Sequence, residues 1–331
     1  MILHLKKNTP KNILKELQQL SASFLNEKKN YFQYVNSSSQ KLHNENLKPY
    51  IIDQYLFDND IQIASIKYQK SRTVSINNLS IGRDTNKFAV IMGPCSIENE
   101  DQIRKTAAFI KKLNLNGIRG GAYKPRTSPY SFQGLGKIGL NILKKFANKY
   151  DLTTFSEVKD ASQINEVINV ADVVQVGAKS MYDHGILNAL GETQKPVLLK
   201  RGFATTLQEF VQAAEFILSK GNENVILCER GIRTFENKTR FTLDLCGVSW
   251  LKEHTNLPII VDPSHALGFR YGIQDLSKAA VAMGIDGLLI EVHPNPDSAL
   301  SDANQQLNFD QARELIKAIE PYVQIENKEL I

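Results

Sequence analysis

A (β/α)8 barrel, a TIM barrel, carrying a small N-terminal α+β domain or extension is the fold that this chain predicts. Three observations lead there. Short apolar runs bounded by Gly, Pro or Lys alternate with amphipathic helical stretches, as parallel βαβ units require. Eight such units follow one another from Phe88 onward, over about 240 residues, close to the ~250 typical of a barrel. The first 70 residues have another texture, rich in Asn, Gln, Ser, Lys and Tyr. A doubly wound open sheet is the alternative, but no Gly-x-Gly-x-x-Gly turn follows the first strand to support it.

Taken in order, residues 1–70 read as a small α+β unit with a regulatory or oligomerising role. Ile2 to Leu5 suits a strand. Thr9-Pro10 suits an N-cap and first helical position, and Ile13, Leu14, Leu17, Leu20 and Phe24 recur at helical spacing behind it. Tyr31 to Val35 reads as a strand, Asn36 to Gln40 as a loop, and Tyr50 to Phe57 is open between helix and strand. Ile61 to Ile66 alternates like a strand. Residues 71–86 form a linker with a hairpin, its arms Thr73–Ile76 and Leu79–Ile81 joined by Asn77-Asn78, placed at the bottom of the barrel. The barrel occupies 87–331. Its strands are expected at 88–92, 117–122, 152–156, 173–177, 196–200, 225–228, 258–261 and 287–292. Its helices are expected at 101–113, 136–149, 161–169, 182–191, 206–219, 242–254, 275–283 and 310–320.

The composition is that of an ordinary globular protein, 42% hydrophobic and 23% charged over 331 residues. A net charge of +5 is too mild to point to nucleic acid. No apolar run approaches the roughly 20 residues of a membrane helix, and no signal-length apolar segment opens the chain. Three widely spaced cysteines argue against a disulfide framework and for a reducing compartment. The expected location is the cytoplasm.

Barrel chemistry gathers at the C-terminal ends of the strands. Reading only those ends yields two groups. Cys95, His265, Glu291 and Asp302 offer a sulfur, an imidazole and two carboxylates, a set that suits a divalent transition metal. Singly, each has a plainer explanation: Cys95 as a small core residue, His265 as a helix cap, Asp302 as a turn residue. His293 competes as a ligand. The second group is cationic: Arg119, Lys124, Arg126, Lys179, Lys200, Arg201, Arg230 and Arg233. So many cations in one cleft suit ligands with more than two negative charges, such as two phosphorylated substrates. Some of them can instead pair with Glu157, Glu229 or Asp262, an outcome expected for Arg201 or Arg233. On its own, Lys124-Pro125-Arg126-Thr127-Ser128 reads as a solvated basic loop; on strand two of a barrel it becomes an anion clamp.

The motifs, in order, are Gly93-Pro94-Cys95-Ser96, Arg119-Gly120-Gly121, Lys124-Pro125-Arg126-Thr127-Ser128, Leu199-Lys200-Arg201-Gly202, Cys228-Glu229-Arg230-Gly231, Asp262-Pro263-Ser264-His265 and Glu291-Val292-His293-Pro294. With them the chain resembles the 3-deoxy-7-phosphoheptulonate (DAHP) synthases, in their short form with an N-terminal extension domain, over about residues 73 to 325. The resemblance implies a metal-dependent, aldol-type condensation of phosphoenolpyruvate with erythrose 4-phosphate, the entry to aromatic amino acid synthesis. It implies Cys95, His265, Glu291 and Asp302 as metal ligands, with Mn²⁺ foremost and Fe²⁺, Co²⁺ or Zn²⁺ compatible. It places phosphoenolpyruvate on Arg119, Lys124, Lys200, Arg230, Lys179 and the Ala178 N–H. It places the aldose phosphate on Pro125, Arg126, Thr127 and Ser128, with Asp302 beside it. Lys124, Cys95, His265 and Glu157 carry the expected catalytic roles. The family also leads to the expectation of a homo-oligomer, dimer or tetramer, and of an aromatic amino acid effector.

The related 3-deoxy-octulosonate 8-phosphate synthases, which use arabinose 5-phosphate, share the Gly-Pro-Cys and Glu-x-His-Pro segments. They typically carry Ala-Asn-Arg-Ser-Ser after the lysine, so Pro125 favours the four-carbon sugar. A barrel retained only as a binding partner is a third reading, weakened because no matched ligand position is lost. Three departures from the family pattern lie near the mouth: Lys179 in place of Arg, Phe241 in place of Asn, and the bulky run Ala266 to Arg270. They leave room for another aldose phosphate, including an amino- or imino-sugar.

Overall fold

The computed structural model describes residues 1–37, 45–124 and 128–331. Eight parallel strands close on themselves: β1 (Lys87–Gly93), β2 (Gly117–Arg119), β3 (Thr153–Val158), β4 (Val173–Val176), β5 (Val197–Lys200), β6 (Val225–Glu229), β7 (Ile259–Val261) and β8 (Gly287–Glu291). Each pairs with its sequence neighbours, and β8 returns to β1 with Gly287 opposite Ala89 and Glu291 opposite Gly93. A short strand, Glu329–Leu330, adds to the lower end of β1. The strands are almost wholly buried because both faces are covered, which is why they read as continuous apolar runs.

The helices between them are α1 (Glu100–Lys112), α2 (Lys137–Tyr150), α3 (Ile164–Ile168), α4 (His184–Gly191), α5 (Leu207–Ser219), α6 (Leu245–His254), α7 (Ile273–Ala282) and α8 (Phe309–Ile325). Their starts are written in the sequence. Asn99 caps α1 by accepting the Gln102 N–H. Thr206 with Glu209, and Asn308 with Gln311, form reciprocal capping boxes at α5 and α8. Asp244 caps α6, so that helix begins at 245 rather than 242.

The antiparallel hairpin Thr73–Ile76 and Leu79–Gly82 turns at Asn77, whose φ of 47° lies in the left-handed region that Asn tolerates. Its Val74, Ile76, Leu79 and Ile81 pack into one cluster with inward-facing barrel residues Ala89, Ile91, Phe155, Leu198 and Ile260. The hairpin thus stoppers the N-terminal end of the barrel.

The N-terminal region is a four-stranded antiparallel sheet, in the order Phe24–Glu27, Tyr31–Val35, Ile2–Lys6, Ile51–Tyr55, with the helix Lys11–Gln19 packed on one face. Three local expectations change here. Thr9 does not cap the helix; its hydroxyl donates to the Lys6 carbonyl at 2.6 Å, and Pro10 occupies the cap position. Phe24 opens a strand rather than continuing the helix. Ile61 to Ile66 is no strand: the Gln62 and Ala64 N–H groups donate to Glu215 on α5, at 2.6 and 2.9 Å. The alternation there reflects docking against the barrel. Asn256 supports the same junction by donating to the Ile63 and Ser65 carbonyls. Of the loop expected at 36–40, residues 38–40 lie outside the described residues.

Candidate active site

The strand ends converge on a cavity of about 590 Å³ at the C-terminal mouth. Gly93 ends β1 where a Cβ would lie 2.0 Å from the Arg119 carbonyl oxygen. Only glycine permits that approach, and it carries the chain over β2 to deliver Cys95. Strand β2 is shorter than the expected 117–122; beyond Arg119 the backbone turns to link Gly121 with Ser96. The sequence reading missed a short helix at Pro263–Leu267. Asp262 caps it, accepting the His265 N–H at 3.0 Å, with Pro263 in its first turn. His265 is therefore not the cap.

Cys95, Glu291 and Asp302 bring one donor atom each within 4.8 Å of one another. His265 Nε2 lies 3.4 Å from Glu291 Oε1 and 3.8 Å from Asp302 Oδ2. Its other nitrogen, Nδ1, sits 2.7 Å from Asp262 Oδ2. That bond fixes the tautomer in which Nδ1 bears the proton and Nε2 offers its lone pair to the cluster. Burial lowers the His265 pKa, although Asp262 and Glu291 oppose this. Burial, with Glu291 nearby, pushes the Cys95 thiol up to about 12. Burial works against ionisation of Asp302, but the His265, Arg240 and Lys124 charges outweigh it and hold its carboxyl down at about 2. One thiol, one neutral imidazole nitrogen and two carboxylates converging in this way fit a divalent transition metal. His293 does not compete; it is turned away and faces Glu98 at 3.4 Å.

The cations sort themselves by partner. Arg119 Nη1 lies 2.5 Å from Glu291 Oε1, and Lys200 Nζ lies 2.5 Å from Asp262 Oδ2. Lys124 donates to the Cys95 carbonyl at 3.0 Å and reaches its Sγ at 3.2 Å. Arg201 Nη1 donates to Glu229, at 2.9 Å, and to Asp244, at 2.7 Å, and Nη2 donates to the Thr205 carbonyl, so this arginine is held by the protein's own acceptors. Arg230 has no carboxylate partner among the described residues; burial lowers its pKa, and it stacks 4.3 Å over the Phe241 ring. Lys179, Ala178, Ser128 and Glu157 line the cavity beside it. Glu157 accepts from Gln175 at 2.8 Å. Pro125, Arg126 and Thr127 lie outside the described residues.

Residues absent from the sequence reading complete the wall. Phe203 stacks beneath Arg233 at 5.0 Å, and Arg240 lies between Phe241, Gln305 and Asp302. Lys238-Thr239-Arg240 carried a usable signal, two cations just before α6, but no strand end adjoins it.

A closed barrel with a metal-type donor cluster and a cationic cavity at one mouth defines an enzyme acting on polyanionic small molecules. Comparison with known proteins makes this specific. A model of the DAHP synthetase I family matches residues 63–325. The chain is 44% identical over 250 residues to the phospho-2-dehydro-3-deoxyheptonate aldolase of Thermotoga maritima, covering 76% of this chain and 73% of that one. It is 31% identical over 265 residues to the 2-dehydro-3-deoxyphosphooctonate aldolase of Desulfosudis oleivorans, covering 75% and 94%. The crystal structure of the Thermotoga maritima DAHP synthase superposes with a TM-score of 0.81 at 34% identity, over 100% of this chain and 99% of that one. The chain belongs to the DAHP synthetase I family. Among the described residues, no helix is long and apolar enough to cross a membrane.

Proposed function

We propose that the protein condenses phosphoenolpyruvate with erythrose 4-phosphate and water to give 3-deoxy-D-arabino-heptulosonate 7-phosphate and inorganic phosphate, with a divalent transition metal held by Cys95, His265, Glu291 and Asp302. The observation that carries this reading is one cavity lined by His265 and Asp302 of that donor set together with Lys124, Lys179, Lys200 and Arg230, with Cys95 and Glu291 clustered against Asp302. When bound, the metal would supply Lewis acidity toward the aldehyde oxygen.

The protein's own groups then divide the work. Arg119, Lys124 and Lys200 face the carboxylate side of phosphoenolpyruvate. Lys179, Arg230 and the Ala178 N–H face its phosphate. Pro125, Arg126, Thr127 and Ser128 are assigned to the aldose phosphate. The C3 carbon of phosphoenolpyruvate forms the new bond to the aldehyde carbon, and Lys124 gives a proton to the developing alkoxide. Water adds at C2, with Glu157 as the group that takes its proton. The resulting hemiketal phosphate loses inorganic phosphate to leave the ketone. Residues 1–70 are assigned to assembly or to regulation by an aromatic amino acid, acting through the junction at Glu215.

Glu157 is held by absence as well as contact. A Cβ on Gly177 would fall 2.1 Å from Glu157 Oε1. Gly177→Ala should therefore leave the fold and melting temperature nearly unchanged while turning the Glu157 carboxylate aside. The expected loss is in kcat, by roughly 10- to 100-fold, with KM for phosphoenolpyruvate little altered; an unchanged kcat would remove Glu157 from the water step.

Purified protein supplied with Mn²⁺ should consume phosphoenolpyruvate when erythrose 4-phosphate is added, and not with arabinose 5-phosphate. The reverse preference would assign it the five-carbon reaction. Consumption with neither, in metal-loaded protein, would defeat the proposal.

A further inference from the structure

Four ligands alone do not hold a metal site in shape; the groups behind them decide where each lone pair points. Here the segment after β8 loops out and returns to its own strand, with His293 N donating to the Leu307 carbonyl and Leu307 N to the Glu291 carbonyl, each at 2.9 Å. The loop presents Asp302 at a φ of 48°, a left-handed conformation that Asp accepts more readily than most residues. Two adjacent glutamines, 2% and 0% exposed, sit at its base.

Gln305 Nε2 donates to Glu291 Oε2 at 2.5 Å and reaches Asp302 Oδ2 at 3.4 Å. Its carbonyl oxygen accepts from Arg240 at 2.9 Å. Gln306 turns the other way. Its oxygen accepts the Cys95 N–H at 2.9 Å, and its nitrogen donates to the Ser301 carbonyl at 2.8 Å. A 2.6 Å contact between the Ser96 and Ser301 hydroxyls runs parallel to that bridge. One glutamine thus engages both carboxylates, and the other fixes the backbone of the thiol ligand to the residue preceding Asp302.

We propose that Gln305 and Gln306 are positioning residues that set the geometry of the metal site. This rests on the reading of Cys95, His265, Glu291 and Asp302 as its ligands. An amide suits both posts because it donates and accepts at once and carries no charge. Occupying Glu291 Oε2 leaves Oε1 as the oxygen that faces His265 and Arg119. Clamping Cys95 N to Ser301 O sets the separation of sulfur and carboxylate, which lie on loops from opposite ends of the barrel sequence.

The test is metal affinity and ligand-field spectroscopy on the full chain. Wild type, Gln305→Met and Gln306→Met are titrated with Mn²⁺ by electron paramagnetic resonance and with Co²⁺ by absorption. Each variant should bind Mn²⁺ roughly 10- to 100-fold more weakly, and Gln306→Met should also shift or weaken the cobalt–thiolate charge-transfer band. Arg201→Met, which disturbs a buried ion pair away from the ligands, should lower the melting temperature without moving either reading. Wild-type affinity and band in folded Gln305→Met and Gln306→Met would overturn the inference. If Gln306→Met does not fold, Gln306→Glu serves instead, since it keeps an oxygen for the Cys95 N–H and loses the donor to Ser301. A wild-type protein that binds Co²⁺ without any thiolate band would defeat the ligand assignment itself, and the inference with it.

Discussion

Replacing Cys95 with alanine is expected to weaken metal binding by at least about 100-fold and to abolish metal-dependent turnover. The fold should survive, because the change removes one small buried atom. Removing one buried sulfur atom costs about 1 kcal/mol of packing and transfer free energy, against the loss of a ligand that the other three cannot replace. The thiol also predicts a thermodynamic signature. With burial and Glu291 holding its pKa at about 12, Cys95 keeps its proton at neutral pH until a cation displaces it. Wild-type metal binding should therefore release about one proton and strengthen close to tenfold per pH unit between pH 6 and 8. Cys95→Ala should show neither effect. Calorimetry in buffers of different ionisation enthalpy measures the proton directly. Equal proton release by both proteins would take Cys95 out of the ligand set.

Arg201→Met is expected to be the most destabilising single change near the mouth. Arg201 is 3% exposed and Glu229 is fully buried, so the substitution strands a carboxylate in the interior rather than deleting a surface pair. Breaking a buried ion pair from one side costs about 3–5 kcal/mol, or roughly 5–10 °C in melting temperature. Asp244 loses its partner as well, and with it the anchor of the α6 cap. The deficit should depend on pH with a definite sign. Burial already raises the Glu229 pKa, and removing Arg201 raises it further. A carboxyl whose folded pKa exceeds its unfolded value favours the folded state at low pH and loses that contribution as pH rises through the folded pKa. The gap between variant and wild type should narrow on acidification, and Arg201→Met with Glu229→Gln should recover much of the loss at neutral pH. A pH-independent deficit would mean that packing of the arginine stem, not the stranded charge, sets the cost.

The barrel was legible in the sequence because each of its strands is buried on both sides and so leaves an uninterrupted apolar run, such as Phe88 to Met92. The members of the donor cluster were legible for a related reason: the topology sends every strand end to one mouth, so Cys95, His265, Glu291 and Asp302 could be gathered without coordinates. Local misreadings arose where tertiary contacts replaced a local partner. Ile61 to Ile66 mimics a strand because Glu215, more than 150 residues away, accepts its N–H groups. The helix at Pro263 was missed because five residues are too few to show a period, although Asp262-Pro263 spelled its cap. Arg240, Gln305 and Gln306 escaped notice because they stand on loops, where position relative to the strand ends says little. Arg201 and Lys200 look alike in sequence, and only the register of β5 against β6 and the placement of Asp262 separate the structural cation from the one facing the cavity.

The Arg119–Glu291 contact has a consequence beyond either residue. Under the proposed assignment the guanidinium belongs to the anionic substrate and the carboxylate to the cation, yet the two side chains also hold each other. A substrate anion that draws on Arg119 alters how freely Glu291 can turn its charge toward the metal, and a metal that draws on Glu291 alters what Arg119 can offer the anion. The two occupancies are joined by one coupling free energy, and thermodynamic reciprocity makes it symmetrical: by whatever factor phosphoenolpyruvate changes the affinity for the metal, the metal changes the affinity for phosphoenolpyruvate by the same factor.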